Sequence, residues 1–163
     1  MLVALLSDIH DHTSHLLLAL QAALEHKCTH LLFMGDMAGI STFRTLREEW
    51  PYGMDLVFGN NEYNHDAFLR LAAQWEHTTL HGETADFVLD GRHIFMTHLP
   101  WSASQAASSG AYDAVFFGHT HVPEQFLSGN TLVANPGEVY GRQGHPTLGI
   151  YDTASNTVRI IPI

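Results

Sequence analysis

Several of the chain's thirteen histidines stand beside carboxylates or asparagines in short polar clusters. The clusters are Asp8-Ile9-His10, Gly35-Asp36, Gly59-Asn60-Asn61-Glu62, His98 and Gly118-His119-Thr120-His121. Histidine is the commonest metal-ligating side chain and the acid/base group of near-neutral pH. Asp8, His10, Asp36, Asn60, His98, His119 and His121 together offer more N and O donors than one tetrahedral zinc ion takes. They suit two divalent ions that share a carboxylate. Two ions ~3.5–4 Å apart form a clamp for displacement at phosphorus. Taken singly, each cluster has an ordinary reading. Asp-x-His can be a helix cap with a satisfied histidine, Gly-Asp and Gly-Asn-Asn are turns, and a lone His98 is a core or surface residue. The joint pattern carries the metal reading.

The pattern rests on what precedes each cluster. LVALLS (2–7), HLLFM (30–34), MDLVF (54–58), the HIFMT half of a hairpin over 85–98, and AYDAVFFG (111–118) read as strands, each with an apolar run. Each runs straight into one of the clusters, with Gly35, Gly59 and Gly118 placed where the backbone must turn sharply. In open α/β sheets ligands bind outside the carboxyl ends of the strands. In extended chain Asp8 and His10 point the same way, as do His119 and His121.

Helical spacing covers 14–26, 41–50 and 66–76, with Thr13 or Ser14 as the first N-cap. The resulting β-α-β-α-β-α rhythm implies parallel strands with crossover helices. The second half is β-rich: the hairpin turns at Asp90-Gly91, 102–110 is a short helix or a loop, and short strands follow to the end. No linker interrupts 1–163, which reads as one domain. Two packed sheets with helices on their outer faces are expected.

Composition narrows the partners. The formal charge is −10, from 17 acids against 7 bases, with Lys27 the only lysine. Wrapping a nucleic-acid duplex takes many phosphate contacts, so long nucleic acid is excluded as a partner. Bound metal still lets an acidic protein hold a phosphate. No apolar run is long enough for a membrane span, and MLVALL is too short for a signal peptide. A cytoplasmic location is expected, and the single Cys28 reads as a small buried hydrophobe.

The order D-x-H, G-D, G-N, H, G-H-x-H, with the SDIH start and the later NPGE (135–138), resembles the calcineurin-like metallophosphoesterase superfamily, in its small bacterial and archaeal phosphodiesterase branch. The resemblance implies a four-layer α-β-β-α sandwich of two mixed sheets. It implies Asp8, His10 and His121 on one metal ion, Asn60, His98 and His119 on a second, and Asp36 bridging both with a water or hydroxide that attacks phosphorus. Members use manganese, iron, zinc or nickel; manganese is the first choice here. Some form dimers or larger assemblies, so a homo-oligomer stays open.

Two places depart from that pattern. Many members have histidine where this chain has Asn61, and asparagine cannot give up a proton at neutral pH. General acid catalysis contributes roughly 10²–10⁴-fold, so either catalysis is slow on poor leaving groups or another histidine stands in. His12 and His65 are the candidates, with a solvent-facing role as the alternative for each. Glu62 fills a position that is acidic in the branch and stands with Asn61 and His12 among the catalytic candidates. The second departure is His98-Leu99-Pro100-Trp101, where glycine usually follows the histidine; Trp101 either stacks on a substrate ring or packs under a loop.

Charge gives a lean on substrate. Two divalent ions, two aspartates and one hydroxide leave a single positive charge, which a diester monoanion balances. A monoester would call for an added cation, for which Arg142 is the one plausible residue. A metal-dependent phosphodiesterase of small substrates is therefore expected. The alternatives are a phosphomonoesterase of the same fold and a protein-binding scaffold, which one member of this fold is, with degraded ligands. The chain is too short for the barrel of a mononuclear amidohydrolase.

Overall fold

In β1 (Leu2–Leu6) alternate residues face opposite ways: Ala4 and Leu6 join one core cluster, Val3 and Leu5 another. A strand that is apolar on both faces must lie between two layers, and the computed structural model, which describes residues 1–163, places it so. β1 is followed by α1 (Thr13–Glu25), β2 (His30–Phe33), α2 (Ile40–Glu49), β3 (Gly53–Leu56), α3 (His65–Ala72) and β4 (Thr78–Leu80). The β-rich half has β5 (Thr84–Leu89), β6 (Arg92–Thr97), α4 (Pro100–Ser109), β7 (Ala114–Phe116), β8 (Glu124–Ser128), β9 (Thr131–Asn135), β10 (Thr147–Asp152) and β11 (Thr157–Pro162).

The first sheet runs β11-β10-β1-β2-β3-β4, with β1 to β4 parallel and β10 and β11 antiparallel. The second runs β5-β6-β7-β9-β8, with a parallel centre and antiparallel edges. Both sheets are mixed. Leu16, Ala19, Leu20 and Ala23 recur at helical spacing on α1 and pack with Phe43, Trp50 and Phe68 on the outer face of the first sheet. Met34, Val57, Phe116 and Tyr151 fill the space between the sheets. Ala103 and Ala107 of α4 pack on Val115 and Val133, outside the second sheet. The order is helix, sheet, sheet, helix: the expected four-layer sandwich.

The hairpin turns at Asp90-Gly91 as expected, both with left-handed φ (50° and 81°), the twist a two-residue hairpin turn requires. Residues 102–109 lie in a helix, α4, the first of the two readings open for that stretch, opened by Pro100 and closed by Gly110 at φ 69°. Two local expectations need correction, and one strand was missed. The N-cap of α1 is His12, not Thr13 or Ser14, and no side chain caps it. The helix over 66–76 spans only His65–Ala72, after which Ala73 and its neighbours turn. β4 was not anticipated, because Thr78-Thr79-Leu80 has neither length nor an apolar run; its pairing with β3 makes it a strand.

Candidate metal centre

Five strands deliver the polar clusters to one end of the molecule: Asp8 and His10 follow β1, Asp36 follows β2, Asn60 follows β3, His98 follows β6, and His119 and His121 follow β7. The connecting backbone is unusual. Asp8, His10, Asp36, His119 and His121 all have φ between 46° and 69°. Left-handed non-glycine residues are uncommon and concentrate at functional sites, and Asp and His tolerate the conformation better than most. The loops also interlock. The Asp8 N–H donates to the Gly35 carbonyl, and the N–H groups of Ile9 and His10 share the Asp36 carbonyl. A Cβ on Gly59 would collide with the Asp36 carboxylate, and one on Gly118 with the Ser7 hydroxyl.

Two donor sets result. In one, His121 Nε2 lies 3.3 Å and His10 Nε2 3.7 Å from Asp8 Oδ1. In the other, Asn60 Oδ1, His98 Nε2 and His119 Nδ1 lie within 2.9–3.2 Å of one another. Asp36 Oδ2 sits between them, 3.5 Å from His10 Nε2 and 3.4 Å from His98 Nε2. Asp8, His10 and His121 are close enough to hold one ion together, as are Asp8, Asp36 and His98. The structure brings all seven sequence candidates into one site.

The second tier of contacts decides which atoms face inward. His98 Nδ1 donates to the Met34 carbonyl (2.7 Å), so the neutral ring turns a lone pair at Nε2 toward the site. His121 Nδ1 lies 2.6 Å from Glu138 Oε2, which orients that ring likewise. Asp8 Oδ2 accepts from the Ser7 hydroxyl and the His119 N–H, leaving Oδ1 free. Asp8 Oδ1 and His10 Nε2 are buried with no hydrogen-bond partner. Buried polar atoms without partners are costly and call for an explanation. A pair of divalent cations supplies one: the free atoms are donors of the right kind, and they point together.

The charges agree. Burial alone would raise the Asp36 pKa, yet contacts with His98 and Asn61 outweigh it and hold the carboxyl at about 2. His10 is raised, chiefly by its contact with Asp8. His98 is raised although burial opposes it, because Asp36 sits beside it. Such a field attracts positive charge, proton or metal.

The residues expected to act beside the metals fall out differently. Asn61 lines the site, but its backbone and side-chain N–H groups both donate to Asp36, at 2.9 and 2.6 Å. Glu62 is buried, its carboxylate accepting from the N–H groups of Met37, Ala38 and Gly59. That geometry corrects the catalytic expectation for Glu62: with its oxygens committed, it ties the loop after β3 to the loop after β2. His12 packs at a tilt against the rings of His15 and Tyr140 and does not line the cavity; His65 lies flat on Phe58, 3.9 Å between ring centroids. Neither is placed as a substitute acid. Glu138 was not singled out as a partner of His121; its one sequence signal was the NPGE stretch, here the loop after β9.

Two cavities open on the site. One, about 280 Å³, is lined by His10, Asp36, His119, His121, Tyr140 and Arg142 among others. The other, about 250 Å³, is lined by Asn60, His98, Leu99 and Trp101 among others. A larger cavity of about 400 Å³ lies elsewhere, between the C-terminal end of α4 and the β8–β9 turn, and has no histidine in its wall.

Comparison with known proteins places the chain. The profile of the calcineurin-like phosphoesterase superfamily domain matches residues 1–156. The chain belongs to that superfamily. Its relatives include a phosphodiesterase of Methanocaldococcus jannaschii, 26% identical over 99% of this chain and 98% of the relative. Among solved structures, an archaeal phosphodiesterase superposes with a TM-score of 0.89 at 27% identity, both chains covered in full. A phosphoesterase from E. coli (TM-score 0.69, 20% identity, both chains covered in full) shares the fold. So does a zinc-complexed Vps29 from Entamoeba histolytica (TM-score 0.68, 16% identity, 100% and 98% covered). The expected superfamily and fold are both met.

Proposed function

We infer that this member of the calcineurin-like phosphoesterase superfamily is a metal-dependent phosphodiesterase acting on small diesters. One observation carries the reading: two inward-facing donor sets joined by the Asp36 carboxylate, with buried donor atoms that nothing in the protein satisfies. Asp8, His10 and His121 would hold one ion and Asn60, His98 and His119 the other, with Asp36 shared. Two carboxylates, an amide oxygen and four imidazoles without a thiolate suit several divalent ions; manganese is the one to try first. Bound there, the ions supply Lewis acidity and a nucleophilic water near neutral pH.

The chain's own residues do the rest. Met34 and Glu138 fix two imidazoles so that no rotation is needed when ligands engage. Asn61 holds the shared carboxylate by two hydrogen bonds. Arg142 lines the cavity beside the imidazoles, and a guanidinium there would meet a phosphoryl oxygen. We place no proton donor for the leaving group, so good leaving groups should be favoured. The −10 charge and scarcity of bases favour small substrates over long nucleic acid. No helix is long and apolar enough to cross a membrane; we place the protein in the cytoplasm, where the buried thiol of Cys28 stays reduced.

Arg142 gives a phosphomonoesterase some footing, since a dianion gains from an added cation. A paired assay decides. Metal-stripped protein, with manganese restored, is offered bis-p-nitrophenyl phosphate and p-nitrophenyl phosphate. Faster turnover of the diester, lost in Asp36→Asn, is the expected result. Preferred turnover of the monoester would select the second reading, and failure to bind any divalent ion would remove both.

A further inference from the structure

The two cavities that open on the metal centre share Asn60 and differ in everything else. The Arg142 side is polar, with Tyr140 and Gln143 beside the imidazoles. The other side is walled by Trp101, Leu99 and Phe58, with Glu83, Thr84, Thr97 and Ser102 as polar groups beside Asn60 and His98, and no lysine or arginine. Trp101 is 63% exposed, a large apolar ring left in solvent three residues after His98. It sits in the first turn of α4, whose start Pro100 fixes. The indole is therefore presented by a rigid element, not by a mobile loop.

A phosphodiester has two arms, and two unlike cavities meeting at one metal-facing residue sort unlike arms. Glu83 and the lack of cations disfavour a second phosphate on the Trp101 side. Aromatic rings stack on nucleobases through their π-faces, and a carboxylate accepts from an exocyclic amino group, as it does from cytosine N4. We propose that the Trp101 cavity is a subsite for the base of a nucleoside arm, with Trp101 as stacking platform and Glu83 as acceptor for an amino-bearing base such as adenine or cytosine. The phosphoryl oxygens then lie toward Arg142. This rests on the phosphodiesterase reading above and names the substrate class of that same site.

The test uses one leaving group throughout. The p-nitrophenyl esters of adenylate, of thymidylate and of methyl phosphate are compared on manganese-loaded protein. The adenylate ester should exceed the methyl ester in kcat/KM by roughly tenfold, the size of one stacking contact, with thymidylate between them. Trp101→Ala should bring that ratio close to one, and Glu83→Ala should bring adenylate down to thymidylate. A second readout needs no turnover. Trp50 is buried and Trp75 half-buried, so adenosine monophosphate should quench tryptophan fluorescence saturably in the wild type, ribose phosphate should not, and Trp101→Ala should lose the effect. A ratio near one in the wild type, or quenching that survives in Trp101→Ala, overturns the subsite. Hydrolysis of the methyl ester with neither nucleoside preference nor quenching removes the subsite alone. No hydrolysis of any diester, with quenching intact, removes the phosphodiesterase reading and leaves a ring-binding site.

Discussion

The molecule holds two clusters in which histidines surround an aspartate, and only one of them is open to a ligand. On β3, Asp55 receives His30 Nε2 on one carboxylate oxygen at 2.7 Å and His81 Nε2 on the other at 2.6 Å. Every oxygen has its donor, and none of the three residues has a left-handed φ. At the strand ends the opposite holds. Asp8 Oδ1 and His10 Nε2 are buried without partners, while the outer nitrogens of His98 and His121 are held by Met34 and Glu138 so that the inner ones face the site. The residue types are the same. What separates a structural cluster from a ligand site is which atoms are already committed.

That contrast can be tested by making the same substitution on both sides. The largest effect is expected from Asp36→Asn. Diester turnover should fall by about 10³-fold, the scale of losing a central charge-stabilising group, and calorimetric titration should show one metal equivalent in place of two. Glu138→Gln should be milder. Loss of an outer-tier carboxylate typically costs 10–100-fold in metal affinity, and a manganese titration followed by thermal shift would read it. A loss confined to turnover, with affinity intact, would sever Glu138 from the metal argument.

Asp55→Asn should leave turnover alone and lower stability by about 2 kcal/mol, the scale of a hydrogen bond to a charged group, or roughly 4–8 °C in Tm. The sign with pH follows from the pKa. Burial would raise Asp55, but His30 and His81 outweigh it, and the folded carboxyl lies below its ordinary 3.8. Its contribution is present above that ordinary value and fades as pH falls through the lower folded one. Wild type and variant should therefore converge in urea midpoints in acid. A constant gap down to the acid limit would break the comparison. Smallest is His12→Ala: less than a twofold change, equal for esters of different leaving-group pKa. A loss that grows with leaving-group pKa would restore His12 as a proton donor.

Much of this was legible in the sequence, for a definite reason. An apolar run followed by Gly and a ligand-type residue encodes both a buried strand and what stands at its end, so the convergence of Asp8, Asp36, Asn60, His98 and His119 could be expected from one dimension. The Asp90-Gly91 turn was readable for the same reason, since its chemistry is local. What escaped depends on partners distant in the chain. β4 exists because β3 offers it an edge. Glu62 looked catalytic because its type matched, yet three backbone N–H groups claim it. Glu138 matters only because His121, 17 residues away, turns its outer nitrogen there.

The left-handed backbone at Asp8, His10, Asp36, His119 and His121 has a consequence for how this site is dissected. Alanine is the customary blank in a mutational scan, but here it is not blank. At these positions it removes a donor and also removes a residue type that tolerates positive φ, so its effect mixes lost chemistry with backbone resistance. Asparagine shares that tolerance. For the aspartates it is the cleaner eraser, changing the charge while leaving the loop content with its shape.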